Sequence, residues 1–488
     1  MFKPTPATRK SSTTCSVITI PPPVLPQSTE STSLLESPTV RMISGWKVES
    51  KLLGTYSIPL IIANLLQFCL NMSSLLVISS GGRVELGAVS IAIATANITG
   101  FVVFQGLSTS LDTLCGQACG SGNTKLARLH VQRMIILLGA VGTPIAMLWF
   151  FSAAIVSRII PDAQVAILAG LYLRVLVLAI PGFVVFEAGK RILTSNGFFL
   201  PVTGILCVGA CTNAFLSWLL VWRLDLGFIG APIAVAATWT LVSAYLTLYL
   251  HATGNGSIWH FKTSQALGGW TPMLRLALPG LIMVEAEYFA FEVLTIASAQ
   301  LSTANLAAQT ILVTLNSAFW QIPFSISSAG TTAIAQHIGA KSTNSAKASA
   351  GVVFVWSLIC SAISGTLFFS FRAFWPTIFT DDPEVVDLVL NALPLVAFMH
   401  LFDGLAACCN GILRGIGKPA FGGWVNLSCY YLIALPMSIW TAFGLQWGLM
   451  GLWVGVTLAL AIVTVAEALF LHVTDWQKVV EDAVMMRV

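Results

Sequence analysis

Three glutamates and an aspartate lie in stretches whose other residues belong in hydrocarbon. LPGLIMVEAEYFAFEVL carries Glu285, Glu287 and Glu292, and AFMHLFDGLAACCNGILRGIG carries Asp403, with His400 one turn earlier on the same helical face. A carboxylate at the centre of a membrane span costs roughly 3 kcal/mol or more, so each one marks a pathway or relay unless a cation offsets it. Neither stretch holds a basic residue except at its ends, Arg275 and Arg414. The chemistry on offer is reversible binding of a proton or a cation. A carboxylate can hold a proton or a cationic substrate but poorly both, which is the basis of exchange.

The first half of the chain lacks this charge. At an offset of 220 residues, Glu285, Glu287, Glu292 and Asp403 correspond to Leu65, Gln67, Met72 and Phe183. The proton or cation site is therefore expected in the second half, with Asn64 and Gln67 as its uncharged counterparts. At about 100° per residue, Glu285 and Glu292 share a face and Glu287 lies nearly opposite Glu285. All three can border one cavity only if the span bends or the cavity is wide. His400 reads first as a core histidine, although an i,i+3 neighbour of a carboxylate is well placed to share its proton. Glu187, followed by Lys190 and Arg191, reads as a local ion pair at a span end, and Asp112 as a structural cap.

The elements that must position these groups are duplicated. Pro59 recurs as Pro279, and Leu193 and Gly197 recur as Leu413 and Gly417, all 220 apart, while Gln117 and Gly120 answer to Gln336 and Gly339 at 219. A period this long means a duplicated bundle, since solenoid repeats run about 20–50 residues. Two similar halves around a midplane site are the ground plan of secondary transporters. Twelve apolar spans read at approximately 54–79, 86–110, 130–156, 165–188, 198–222, 229–251, 274–299, 305–329, 349–371, 388–411, 423–443 and 449–471. The expected fold is an all-α polytopic membrane protein, twelve transmembrane helices in two six-helix lobes. Residues 1–49, rich in Ser, Thr and Pro, read as a disordered tail. The lobes follow as 50–251 and 274–471, with a linker at 252–273 and a second tail at 472–488.

Composition agrees. Hydrophobic residues make up 56% and charged residues 9%, with a mean hydropathy of +0.85, where an ordinary soluble domain is roughly 25% charged. A net charge of +4 is too small to suggest nucleic acid. The ten cysteines are scattered and read as small apolar residues; Cys115/Cys119 and Cys207/Cys211 have no nearby His to complete a zinc site, so no metal or other cofactor is expected. With the N-terminus inside, one face gathers Lys125, Arg128, Lys190, Arg191, Lys262, Arg275, Lys341, Lys347, Arg414 and Lys418. The other holds Arg83, Arg158, Arg223 and Arg372 together with Asp381, Asp382, Glu384 and Asp387. The positive-inside rule then puts both termini in the cytoplasm.

One further segment is distinctive. GLSTSLDTLCGQACGSGN, Gly106 to Asn123, ends the second span, and its repeat partner is SISSAGTTAIAQHIGAKS, Ser325 to Ser342. Small residues there allow close helix approach. The longer run ANITGFVVFQGLSTSLDTLCGQACGSGN strongly resembles the eukaryotic branch of the multidrug and toxic compound extrusion (MATE) family. Further matches are RLALPG, FEVL, IPFSISSAG and RGIGKP, and PGFVVFEAGKRILTSNGFF is similar to fungal members. The resemblance covers about Leu52 to Leu471.

The resemblance implies a V-shaped pair of six-helix lobes and antiport of organic cations or other lipophilic small molecules, driven by protons rather than sodium. It assigns coupling roles to Glu287, Glu292 and Asp403, and it gives Glu285 no counterpart. Gln67 stands where prokaryotic members often use an aspartate, and Thr314 where some animal members have a glutamate. Asn64, Gln67, Glu285 and His400 remain candidates for the substrate cavity. The expected protein is a monomer in the plasma or vacuolar membrane, and not an enzyme. Two other readings compete. A flippase for lipid-linked precursors would need basic residues in its cavity, and Arg174 is the in-span candidate. A membrane-embedded transferase would need a histidine with an acid partner, for which His400 and Asp403 qualify, mid-span.

Overall fold

The computed structural model describes residues 38–78, 82–159, 162–253 and 263–485. Most of the expected tail, 1–37, and part of the linker, 254–262, lie outside the described residues. The first lobe comprises α1 (Pro38–Ile78), α2 (Val84–Gly120), α3 (Thr124–Phe150), α4 (Ala163–Leu176 and Ala179–Ser195), α5 (Phe199–Arg223) and α6 (Gly227–Ala252). The second comprises α7 (Thr271–Leu301), α8 (Thr303–Gly339), α9 (Thr343–Ser370), α10 (Pro383–Gly415), α11 (Pro419–Gly444) and α12 (Gly448–Val473). These are the twelve helices and two lobes the repeat predicts.

Among the described residues, nine helices are long and apolar enough to cross a membrane, and the bent pair of α4 makes a tenth. The two that fall short are α7, with its three glutamates, and α8, rich in Ser, Thr, Asn and Gln. They are the helices that line the site described below. The halves of α4 meet at 53°. Pro181 causes the break: its ring clashes with the carbonyl four residues earlier, at Val177, and it has no N–H to offer.

Two boundaries differ from the sequence reading. Residues 38–49, expected in the tail, are the first turns of α1, and Glu49 is buried. The second tail carries an amphipathic helix, α13 (Trp476–Met485), which packs on α8 and α9 through Val479, Val480 and Ala483.

The lobes lock together at the face where α1 begins and α12 ends, called here the terminal face. The two copies of the repeated Gln-x-x-Gly segment clasp each other. A Cβ at Gly120 would collide with the Gln336 carbonyl, and one at Gly339 with the Gln117 carbonyl. Only glycine permits such an approach, as at small-residue crossings in membranes generally. Polar ties flank the clasp. Thr113 Oγ1 donates to the Arg414 carbonyl at 2.5 Å and Gln336 Nε2 to the Ser195 carbonyl at 2.8 Å. The extra turns of α1 reach the second lobe as well. Glu49 pairs with His337 at 3.1 Å and accepts a hydrogen bond from Ser349, and Trp356 Nε1 donates to Ser50 Oγ at 2.9 Å.

Candidate transport site

Toward the opposite face the lobes part, and a cavity of about 730 Å³ lies between α1 and α2 on one side and α7 and α8 on the other. Its α7 wall is a continuous stripe: Glu287, Tyr288, Phe291, Glu292 and Thr295. Spacings of three and four residues keep that stripe on one side of a straight helix. From α8 come Val313, Thr314, Asn316, Ser317 and Trp320, and from α1 Phe68 and Met72. A π-helical turn in α2, Asn97–Phe101, adds Asn97, Ile98 and Thr99. Such turns are frequent at functional sites because the wider coil re-aims side chains. This one is held by Trp149, whose Nε1 donates to Thr99 Oγ1 at 2.8 Å.

Glu287 and Glu292 therefore face the same cavity, which is wide enough to take both without a bend in α7. Glu285 lines neither chamber. It sits two turns nearer the terminal face than Glu292, and the neighbour that feels its charge on α11 is Tyr431. Asp403 is buried one layer behind the wall, beside Asn316 and Trp320, and its charge acts on Glu287. Its Oδ2 has no hydrogen-bond partner. A buried carboxyl group and a cavity-facing one that feels its charge can hold one positive charge, a proton or a cation, between them better than they can both stay bare.

His400 does not join them. Its ring packs against Phe319 and Phe368, with centroids 6.4 and 5.7 Å away, and neither ring nitrogen has a partner. The shared proton that its i,i+3 spacing suggested has no hydrogen bond to travel along.

A second chamber of about 180 Å³ continues from the first toward the terminal face and shares Phe68, Met72, Asn97, Tyr288, Ser317 and Trp320 with it. Asn64 and Gln67 line it. Asn64 Nδ2 donates across the lobe boundary to Ser325 Oγ at 2.9 Å. Lys190 Nζ donates to Gln67 Oε1 at 3.5 Å. Glu187, Lys190 and Arg191 also line this chamber. Lys190 pairs with Glu187 at 2.8 Å, and Arg191 bridges Glu187 at 3.1 Å and Asp112 at 2.5 Å. The ion pair read from the sequence exists, but it belongs to the chamber wall, and Asp112 is an ion-pair partner rather than a cap. The missed signal was Asp112 itself, an acid 79 residues from Arg191 that only the packing of α2 against α4 brings near.

Comparison with known proteins bears on this geometry. The MatE family model matches residues 59–219 and 279–440, one match per lobe. The chain belongs to the MATE family. An uncharacterized transporter of Schizosaccharomyces pombe is 37% identical over 441 residues, covering 90% of this chain and 82% of that protein. Protein DETOXIFICATION 16 of Arabidopsis thaliana is 31% identical over 430 residues, covering 87% and 88%. The crystal structure of the eukaryotic MATE transporter AtDTX14 superposes with a TM-score of 0.86 at 29% identity, over 90% of this chain and 99% of that one. This MATE protein is accordingly a multi-pass transporter of small molecules.

Proposed function

We propose that this MATE transporter exports organic cations or lipophilic metabolites in exchange for protons, by alternating access of the inter-lobe cavity. One observation carries the reading. The larger cavity is walled by two carboxylates and the rings of Phe68, Tyr288, Phe291 and Trp320, and among the described residues no Lys, Arg or His side chain lines it. Aromatic faces and carboxylates attract cations, and the same carboxylates hold the competing proton. Glu287, Glu292 and Asp403 are the coupling groups in this reading. Gln67 and Asn64 contribute hydrogen bonds at the deeper end. The basic residues of the smaller chamber do not favour an anionic, flippase-like cargo, because Lys190 and Arg191 are matched by Glu187 and Asp112.

The terminal face, with its lysines and arginines, is the cytoplasmic one in this reading. The cavity then opens away from the cytoplasm, in the state that takes up protons and releases cargo. Multidrug and toxin extrusion protein 1 of Mus musculus, a relative, is named for extrusion, which supports export as the direction of transport. The test is uptake of ethidium into reconstituted vesicles under an imposed pH gradient. Wild type should accumulate the dye and Asp403→Asn should not. Accumulation by Asp403→Asn at the wild-type rate would refute the assignment.

A further inference from the structure

Among the described residues the second lobe holds one more buried carboxylate, and neither chamber reaches it. Glu467 on α12 is fully buried, and among the described residues neither of its carboxyl oxygens has a hydrogen-bond partner. Keeping an ion there costs several kcal/mol, and the one cation whose charge reaches it, the buried Arg414, makes no hydrogen bond to it. Thr464, one turn earlier, donates its hydroxyl to the Phe402 carbonyl at 3.1 Å, beside Asp403. A helix rises 1.5 Å per residue, so Glu467 lies about 4.5 Å nearer the terminal face than Thr464. Tyr430 on α11 is buried with an unpartnered hydroxyl, and it feels the charges of Glu287, Asp403 and Glu467 together.

The other titratable or charged groups in Glu467's field are Cys408, Cys409 and Arg414 on α10 and Cys429 on α11. Arg414 is the one cation among them, and its Nε is also unpartnered. One turn beyond Glu467, Phe470 stacks on Phe421 at 4.0 Å, with Lys418 Nζ 5.9 Å from the Phe470 ring. Asp403, Tyr430 and Glu467 are thus three buried groups with unpartnered oxygens among the described residues, each acid acting on Tyr430 through its charge, and a stacked aromatic pair lies one helical turn beyond Glu467.

We propose that Glu467 is a proton-relay residue that receives the proton leaving Asp403 and delivers it toward the terminal face through the interior of the second lobe. The inference rests on the proton coupling proposed above. In the step, the Asp403 carboxyl group gives up its proton and becomes a carboxylate. No two of these groups are hydrogen-bonded in this conformation, so each transfer needs a rotation of the Tyr430 hydroxyl or a bridging water; the hydroxyl then accepts the Asp403 proton while donating its own, and the Glu467 carboxylate takes that up. Release to water then waits until Phe421 and Phe470 separate, so the route does not short-circuit the gradient while the cavity is open. Glu467 is a relay and not a cargo contact, and its removal should spare substrate exchange.

The experiment compares wild type, Asp403→Asn, Glu467→Gln and Glu467→Asp in vesicles, by two assays. One is ethidium accumulation driven by a pH gradient; the other is ethidium counterflow against unlabelled tetraphenylphosphonium, which needs no net proton movement. Glu467→Gln should lose gradient-driven accumulation about 100-fold, the lower end of what a positioned proton-transfer group contributes, and keep counterflow. Glu467→Asp should recover part of the accumulation, which a purely structural role would not predict. Full gradient-driven accumulation by Glu467→Gln overturns the relay, and so does loss of both activities in Glu467→Gln together with Glu467→Asp. If Asp403→Asn stays coupled, or wild type ignores the pH gradient, the proton-coupled reading itself fails and the relay with it.

Discussion

Gly120→Ala tests whether the clasp at the terminal face sets the resting conformation. The added methyl carbon would lie 2.8 Å from the carbonyl carbon and Cα of Gln336, and closer still to the carbonyl oxygen. The carbonyl oxygen is the tightest contact, and carbon and oxygen ordinarily rest at about 3.3 Å, so α2 and α8 must separate by roughly 1 Å. Both partners are backbone, and no rotamer change relieves the clash. Overpacking of this kind costs about 1–3 kcal/mol, and the cost falls only on the state in which the two segments touch. At 1.4 kcal/mol per tenfold, the equilibrium shifts about 5- to 150-fold toward the state with the terminal face open. Spin labels at Ser121 and Lys341, both exposed and flanking the clasp, would read this shift as loss of the short-distance population. Gly139→Ala on α3 is the control, since nothing lies within 4 Å of its new Cβ. Gly339→Ala should reproduce the effect, and the double variant should be less than additive because both methyls enter one contact. An unchanged distance distribution in Gly120→Ala would refute the reasoning.

Glu287→Gln should abolish proton-driven efflux, whereas Glu285→Gln should retain most of it, because only Glu287 faces the cavity; efflux against pH in the same vesicles decides, and the reverse order would mean that the helical face shared by Glu285 and Glu292 was the better guide. Arg191→Met leaves Asp112 and Glu187 buried without their guanidinium, so it should cost about 3–5 kcal/mol of stability, read as a lower melting temperature in detergent; an unshifted transition would show that Lys190 alone balances the cluster.

Much of the fold was legible because lipid imposes length and apolarity on each span, and because duplication wrote the pattern twice. The Gln-x-x-Gly repeat was visible as a repeat, but not as two copies gripping each other, since nothing in one copy names its partner. The helical continuation over 38–49 was hidden by composition: Ser and Pro upstream suggested disorder, while the contact that buries Glu49 lies 288 residues away at His337. In the site, the acids of α7 and α10 stood out against apolar neighbours. Glu285 could not be separated from Glu287 by angle alone, because the packing of α11 decides which stretch of the helix borders open space. The cluster of Asp112 with Glu187, Lys190 and Arg191 was read as scattered local features, since its pairing crosses from α2 to α4.

The two lobes treat charge in opposite ways, and that difference is the physical ground for placing the proposed proton coupling in the second. In the first lobe two acids meet two bases within hydrogen-bonding distance, and binding a proton there would break a paired ion. At the position matching Asp403 stands Phe183, packed against Phe101 at 4.7 Å and Trp239 at 4.8 Å, which excludes both charge and water. In the second lobe Asp403 and Glu467 are buried with bare oxygens and Glu287 faces the cavity beside them, while Arg414 lies at the end of its helix. An acid with no hydrogen-bonded base, as Asp403 is, gains stability when a proton or a cation arrives, and a balanced cluster loses it. Occupancy therefore changes the energy of one lobe while the other stays a fixed frame. A duplicated protein in which one copy titrates and the other does not has the asymmetry that turns binding into rocking about a shared clasp.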